Sequence, residues 1–160
     1  MRRKVLSPEY QGVYVKARKT RFGILYPSAF ELVTEIAKRD KAVIIPTGVT
    51  AANQLGFSTQ VPMITSFLTT GSSRKLVMGK RIVLLKHGAP RNFAFKCVLM
   101  RDLVQALRCI GKNNVTLKDE VQISKLMAEN LEMETIEHDL LLAPVWMRNI
   151  IKRNIKNKVL

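Results

Sequence analysis

Acidic residues, cysteine and histidine are all scarce in this 160-residue chain. Cys97 and Cys109 are its two cysteines, and no Cys-x-x-Cys pair occurs. With His87 and His138 as the two histidines, there are too few close ligands for a structural zinc site, which takes about four. No metal, no cofactor and no disulfide framework are expected. The cysteines read as small apolar side chains of a helix in a reducing cytoplasm. Carboxylates are as thin on the ground, since before residue 113 the chain holds only Glu9, Glu31, Glu35, Asp40 and Asp102. Hydrolytic chemistry needs carboxylates that converge on a metal, or a nucleophile beside its base. Glu31 and Glu35 are the one close pair, a helical turn apart, and they read as structural or solvated. His87 follows a strand without a nucleophile pattern and reads as a hydrogen-bonded structural residue. The expectation is that the chain is not an enzyme.

Long apolar runs are absent too. The longest is Leu140 to Met147, well short of the ~18 residues that span a bilayer. The basic start Met1-Arg2-Arg3-Lys4 is not followed by the apolar stretch of a signal peptide. A soluble, cytoplasmic protein with no membrane partner is expected.

What the chain has in excess is positive charge. Its 27 lysines and arginines against 12 acidic residues leave a formal charge of +15. That balance favours a polyanionic or acidic partner, most often nucleic acid, and says little about fold. Lys16, Arg18, Lys19 and Arg21 crowd four positive charges into six residues behind Arg2, Arg3 and Lys4. Such a run fits a nucleic-acid or acidic-partner contact as well as a solvated basic loop. The acidic residues gather late, around Glu129, Glu132, Glu134, Glu137 and Asp139, and read as a solvated helix face. A basic tail of Arg148, Lys152, Arg153, Lys156 and Lys158 follows, a second candidate for a polyanion contact.

Periodicity sketches a small mixed α/β (α+β) fold with a helical C-terminal third. Gly12 to Lys16 is a short strand pattern. Ser28-x-x-Glu31 is a capping-box signature that opens a helix from about Ala29 to Arg39. Lys41 to Ile45 reads as a buried strand. Ile64–Thr69, Lys75–Met78 and Arg81–Lys86 read as three more, with Gly71-Ser72-Ser73 turning the first pair and Met78-Gly79-Lys80 the second. Basic residues Arg74, Lys75, Lys80, Arg81 and Lys86 stand at the ends of these strands, which fits one projecting patch as well as edge lysines that guard against strand-to-strand aggregation. Helices are expected over Phe95–Ile110, from Thr116-x-x-Asp119 with Val121, Ile123, Leu126 and Met127 as its core side, over Met133–Leu141, and after Pro144.

The least ordinary run is Pro46 to Pro62. It joins a Pro46-Thr47-Gly48 turn, a small-residue helix from Val49 to Leu55, a glycine stop at Gly56 and an uncharged clip, Ser58-Thr59-Gln60. Ala51 and Ala52 suit close approach of that helix to a sheet, and Asn53, Ser58, Thr59 and Gln60 are types that bond to nearby main chain. The plain reading is a fixed loop, and the sharper one is a contact surface for a partner.

The blocks Pro46-x-Gly48, Ala52-Asn53-Gln54-Leu55-Gly56-Phe57-Ser58-Thr59-Gln60-Val61-Pro62 and Phe67-Leu68-Thr69-Thr70-Gly71-Ser72-Ser73-Arg74 together resemble the AbiEi-like antitoxins of type IV, abortive-infection toxin–antitoxin systems. Lys86-His87-Gly88-Ala89-Pro90-Arg91-Asn92 and Leu142-Ala143-Pro144-Val145-Trp146-Met147 extend the likeness over about residues 12 to 153. The resemblance implies a bacterial antitoxin that opposes a nucleotidyltransferase-like toxin encoded beside it. It also implies an N-terminal winged helix-turn-helix that binds promoter DNA. Here the residues before Gly12 leave no room for those helices, so residues 1–27 are expected to be a basic wing remnant and linker, and 28–160 the antitoxin-like α/β domain. The expected partner is the toxin, met by a basic surface including Arg74, Lys75, Lys80, Arg81 and Arg91. The alternative is a DNA-binding transcriptional regulator or other nucleic-acid-binding module, with promoter DNA or RNA as partner.

Overall fold

Within the basic run the chain turns back on itself. Arg18–Thr20 (β1) pairs antiparallel with Gly23–Leu25 (β2), Arg18 opposite Leu25 and Thr20 opposite Gly23. The computed structural model describes residues 18–129 and 133–159, with side chains to Lys156. The expected strand at Gly12–Lys16 lies outside the described residues. At the two-residue tip, the Thr20 hydroxyl donates to the Gly23 carbonyl at 2.8 Å.

The capping box forms as its spacing predicts. Glu31 N–H donates to Ser28 Oγ and Ser28 N–H to Glu31 Oε2, starting α1, Ala29–Asp40. Lys38 and Arg39 lie in the last turn, where the helix dipole favours cations. Lys41 closes the helix in the left-handed region at φ 50°. A residue held there cannot begin a strand, so β3 is Ile44–Pro46 and not the run from Lys41.

Three further strands follow α2 (Gly48–Gln54): β4 Ile64–Thr69, β5 Arg74–Met78 and β6 Arg81–His87. The sheet order is β3-β4-β6-β5. Gly79, at φ 60°, turns β5 into antiparallel β6 as expected. The Gly71 turn does not make a hairpin: β4 pairs in parallel with β6, which lies between β4 and β5. The local turn signal was overridden by non-local pairing of two apolar strands. Alternation then gives one face Leu76, Met78, Val83, Leu85 and Phe67, which pack with Leu32, Val33 and Ile36 of α1. Phe30 and Phe67 meet edge to face, 5.4 Å between centroids, a favoured aromatic geometry.

A 3-10 turn, Pro90–Phe93, leads into four helices: α3 Val98–Ile110, α4 Leu117–Glu129, α5 Met133–Leu142 and α6 Val145–Val159. Thr116 and Asp119 cap α4 reciprocally. Ile123 and Met127 of α4 are buried as expected, whereas Val121 is 70% exposed. The helical core joins Met100, Leu103 and Leu107 of α3 with Ile136, Met147 and Ile151. The fold is a mixed α/β one with a helical C-terminal region. It divides into two compact units, residues 1–44 with 63–87, and residues 45–62 with 88–160. Among the described residues no helix is long and apolar enough to cross a membrane.

Candidate functional site

In the second unit the Pro46–Pro62 stretch is built onto α3. Ala51 and Ala52 of α2 pack on Ala106, all three buried. Small side chains do bring α2 close to a neighbour, but the neighbour is a helix and not the sheet expected. Pro46 is buried at the end of β3, and Gly48 opens α2 at φ 58°. Thr47 stands at the N-cap without a side-chain bond to the helix. Its hydroxyl donates instead to Gln105 Oε1 at 2.8 Å. Gln105 Nε2 in turn donates to Asn92 Oδ1 at 3.2 Å, and Arg108 donates to the same oxygen at 2.9 Å. Gln105 is only 2% exposed, and a buried amide must find partners at both ends.

The far end of the stretch is a self-contained clip. Asn53 Nδ2 donates to the carbonyls of Ser58 at 3.0 Å and Gln60 at 2.8 Å. Ser58 Oγ accepts from Gln60 N–H. Gly56 takes φ 80°, and Gln122 Nε2 donates to the Leu55 carbonyl beside it at 2.8 Å. Thr59 and Gln60 remain exposed at the surface.

The basic residues are distributed differently. Arg18, Lys19 and Arg21 are exposed on the β1–β2 hairpin, with Phe22 96% exposed at its tip. Lys16 lies outside the described residues. Arg74 is on the α1-facing side of β5, where Nη2 pairs with Asp40 Oδ2 at 2.5 Å. Lys75 points to the other face, since successive strand residues alternate. Lys86 shares that face, two residues on from Leu84, the partner of Lys75. Lys80 and Arg81 are exposed at the opposite end, at the β5–β6 turn. The strand-end cations therefore divide by face and by end of the sheet. Arg91, in the second unit, donates to the carbonyls of Leu142 and Leu141, and Arg148 adds bonds to Leu140, Leu141 and Ala143. These two guanidinium groups satisfy carbonyls left open at the end of α5.

Gly71 receives the imidazole of His87: Nδ1 donates to its carbonyl at 2.9 Å, while His87 N–H donates to Ser73 Oγ. His87 is thereby a tie across the turn. Asp40 is held below the usual carboxylate range, first by its bond from Arg39; partial burial opposes this, and the charges of Arg74 and Arg39 with the Arg74 bond outweigh it. Asp102 is pushed up by burial, opposed by Arg101. Asp139 is fully buried, contrary to its expected place on a solvated acidic face. Its carboxylate accepts the backbone N–H groups of Lys96 at 2.9 Å and Cys97 at 2.7 Å. Among the described residues no cluster of His, Cys, Asp and Glu is suited to a metal ion.

Residues 1–136 match a family described as of unknown function, DUF6088. The chain belongs to the DUF6088 family. The match takes in the hairpin, the sheet, the Pro46–Pro62 stretch, α3 and α4. The family region thus contains every member of the Thr47–Gln105–Asn92–Arg108 line, and α6 lies past its end. No curated protein and no solved structure matches the chain.

Gln105 and Asp139 were not singled out from the sequence. Gln105 left no signal: it shares the polar side of amphipathic α3 with Arg101, Asp102 and Arg108, where an amide reads as solvated. Asp139 left none either, because its two main-chain donors lie more than forty residues away, and only the His138 imidazole is a near neighbour.

Proposed function

We propose that this DUF6088 protein is the antitoxin of a type IV toxin–antitoxin pair, acting as a binding protein without catalysis of its own. The AbiEi-like resemblance carries the reading, and one observation supports it above others. Two of the blocks that carry the likeness, Pro46-x-Gly48 and Lys86–Asn92, meet through Gln105, which bonds to both Thr47 and Asn92. They act as parts of one assembly and not as separate local turns. That assembly presents Thr59 and Gln60 at the surface. Lys80 and Arg81 at the β5–β6 turn, with Lys75 on the sheet face, are the exposed cations proposed to meet the toxin or its RNA-facing surface. Arg74 and Arg91 contribute by holding Asp40 and the end of α5. The test is co-expression with an adjacent nucleotidyltransferase-like toxin gene, where restored growth supports the reading and continued arrest opposes it.

A second reading is favoured by the hairpin. Arg18, Lys19 and Arg21 flank the exposed ring of Phe22, and cations around an aromatic ring suit phosphate contact with base stacking or insertion. In this reading the chain also binds nucleic acid. A gel shift with upstream DNA, and with single-stranded RNA, repeated at rising salt, tests it. Phosphate contacts weaken steeply with salt. Phe22→Ala lowers affinity at every salt concentration if the ring stacks, and an unchanged shift counts against the hairpin.

A further inference from the structure

Helices α5 and α6 leave a groove of about 850 Å³ between them. Its apolar lining includes Ile136 and Leu140, both buried, and Ile155. At the lip, Met133 is 52% and Leu141 67% exposed. Large apolar side chains at the open edge of an apolar cleft mark a surface that gains by being covered. The α6 side of the groove carries Arg148, Lys152 and Lys156. They recur every fourth residue, so they form a row about 12 Å long at ~1.5 Å rise per residue. Arg148 already serves the end of α5. Among the described residues, neither Lys152 nor Lys156 has an ion-pair partner. Glu137 is the one carboxylate in the lining.

We infer that this groove is a docking site for an acidic amphipathic helix of a partner protein. An apolar stripe at i, i+3, i+4 and i+7 seats on Met133, Leu141 and Ile155 over a floor of Ile136 and Leu140, the usual way a helix lies in a groove. Carboxylates every fourth residue on its flank come opposite Lys152 and Lys156. The charge row fixes which helices are accepted and in what direction, because complementarity selects partners more than it adds affinity. The groove shares no residue with the basic turn and hairpin invoked above, and the inference holds whether or not the antitoxin reading does.

The probe is a labelled helical peptide of roughly 18 residues with a leucine stripe and flanking glutamates, compared with the same peptide carrying lysine for glutamate. Fluorescence anisotropy with the full chain is expected to show saturable binding of the acidic peptide, at least about ten-fold tighter than the basic one. The double variant Lys152→Glu, Lys156→Glu changes only exposed positions. It is expected to reverse that preference while circular dichroism stays unchanged. Leu141→Ser, at the exposed lip, is expected to weaken both peptides. Equal affinity for the two peptides, no saturable binding of either, or acidic-peptide binding indifferent to the lysine reversal overturns the proposal. So does a concentration-dependent dimer in sedimentation that Leu141→Ser dissociates, since the groove is then covered by a second copy.

Discussion

The hydroxyl of Thr47 donates to Gln105 Oε1 at 2.8 Å, fifty-eight residues along the chain. Thr47 is thus a helix-start residue whose side chain bonds to another helix. The other end of the Gln105 amide holds Asn92, so one buried side chain fixes the start of α2 and the 3-10 turn on α3.

Replacing Gln105 by alanine leaves the Thr47 hydroxyl and the Asn92 amide without this partner. A loss of about 1–3 kcal/mol is expected, the cost of stranding polar groups away from water. Urea unfolding checks it, with a lower midpoint and an unchanged slope. In a double-mutant cycle, Gln105→Ala and Asn92→Ala are expected to couple by at least ~0.5 kcal/mol, as residues of one network do.

Asp139 is expected to be costlier. Its carboxylate is the acceptor for two main-chain donors immediately before α3. Asp139→Ala is expected to lose about 3 kcal/mol or more, because bonds to a carboxylate are stronger than neutral ones and two main-chain donors lose their partner at once. Asp139→Asn keeps one acceptor oxygen and falls between the two. Faster amide exchange at Lys96 and Cys97 in both variants locates the damage.

Asp40 and Asp102 are expected to give opposite pH profiles. The lowered pKa of Asp40 means that its contribution is present above the unfolded carboxylate value of about 3.9 and is lost as pH falls through the lower folded value. Asp40→Asn therefore destabilises at neutral pH, and the gap from wild type closes in acid. The raised pKa of Asp102 means that its favourable contribution is full below about pH 3.9 and is lost as pH rises through the higher folded value. Asp102→Asn therefore gains on wild type as pH rises through that window. Urea midpoints from acid to neutral pH check both signs, and parallel profiles contradict the assignment.

Much of the fold was legible where the signal is local. The Ser28–Glu31 box placed α1, Thr116–Asp119 placed α4, and the β-rich run before the Gly71 turn gave Ile64–Thr69 to the residue. What was not legible is what depends on distant partners. The parallel pairing of β4 with β6 hides behind a glycine turn that suggests a hairpin. The strand-end cations look contiguous in sequence, but a period of two sends Arg74 and Lys75 to opposite faces. In the Pro46–Pro62 stretch, the clip made by Asn53 was readable from residue type, whereas Gln105 was not, because its partners come from two other parts of the chain.

Gly56 offers a sharper local test. It sits at φ 80°, and a Cβ there would come 2.9 Å from Gln122 Nε2. Gly56→Ala is expected to cost about 1–3 kcal/mol, from a strained left-handed residue and displacement of the Gln122 bond to Leu55. In thermal unfolding, Gln122→Ala is expected to relieve the crowding and leave the φ penalty, so the double variant loses less than the two single losses combined.

The role proposed for this chain is to neutralise a nucleotidyltransferase-like toxin. The direct measurement is colony count after toxin induction, with expression of this chain raised in steps from a separate promoter. Survival is expected to climb with the amount of chain. Survival that stays at the toxin-alone level, with the folded chain abundant in the cells, contradicts it.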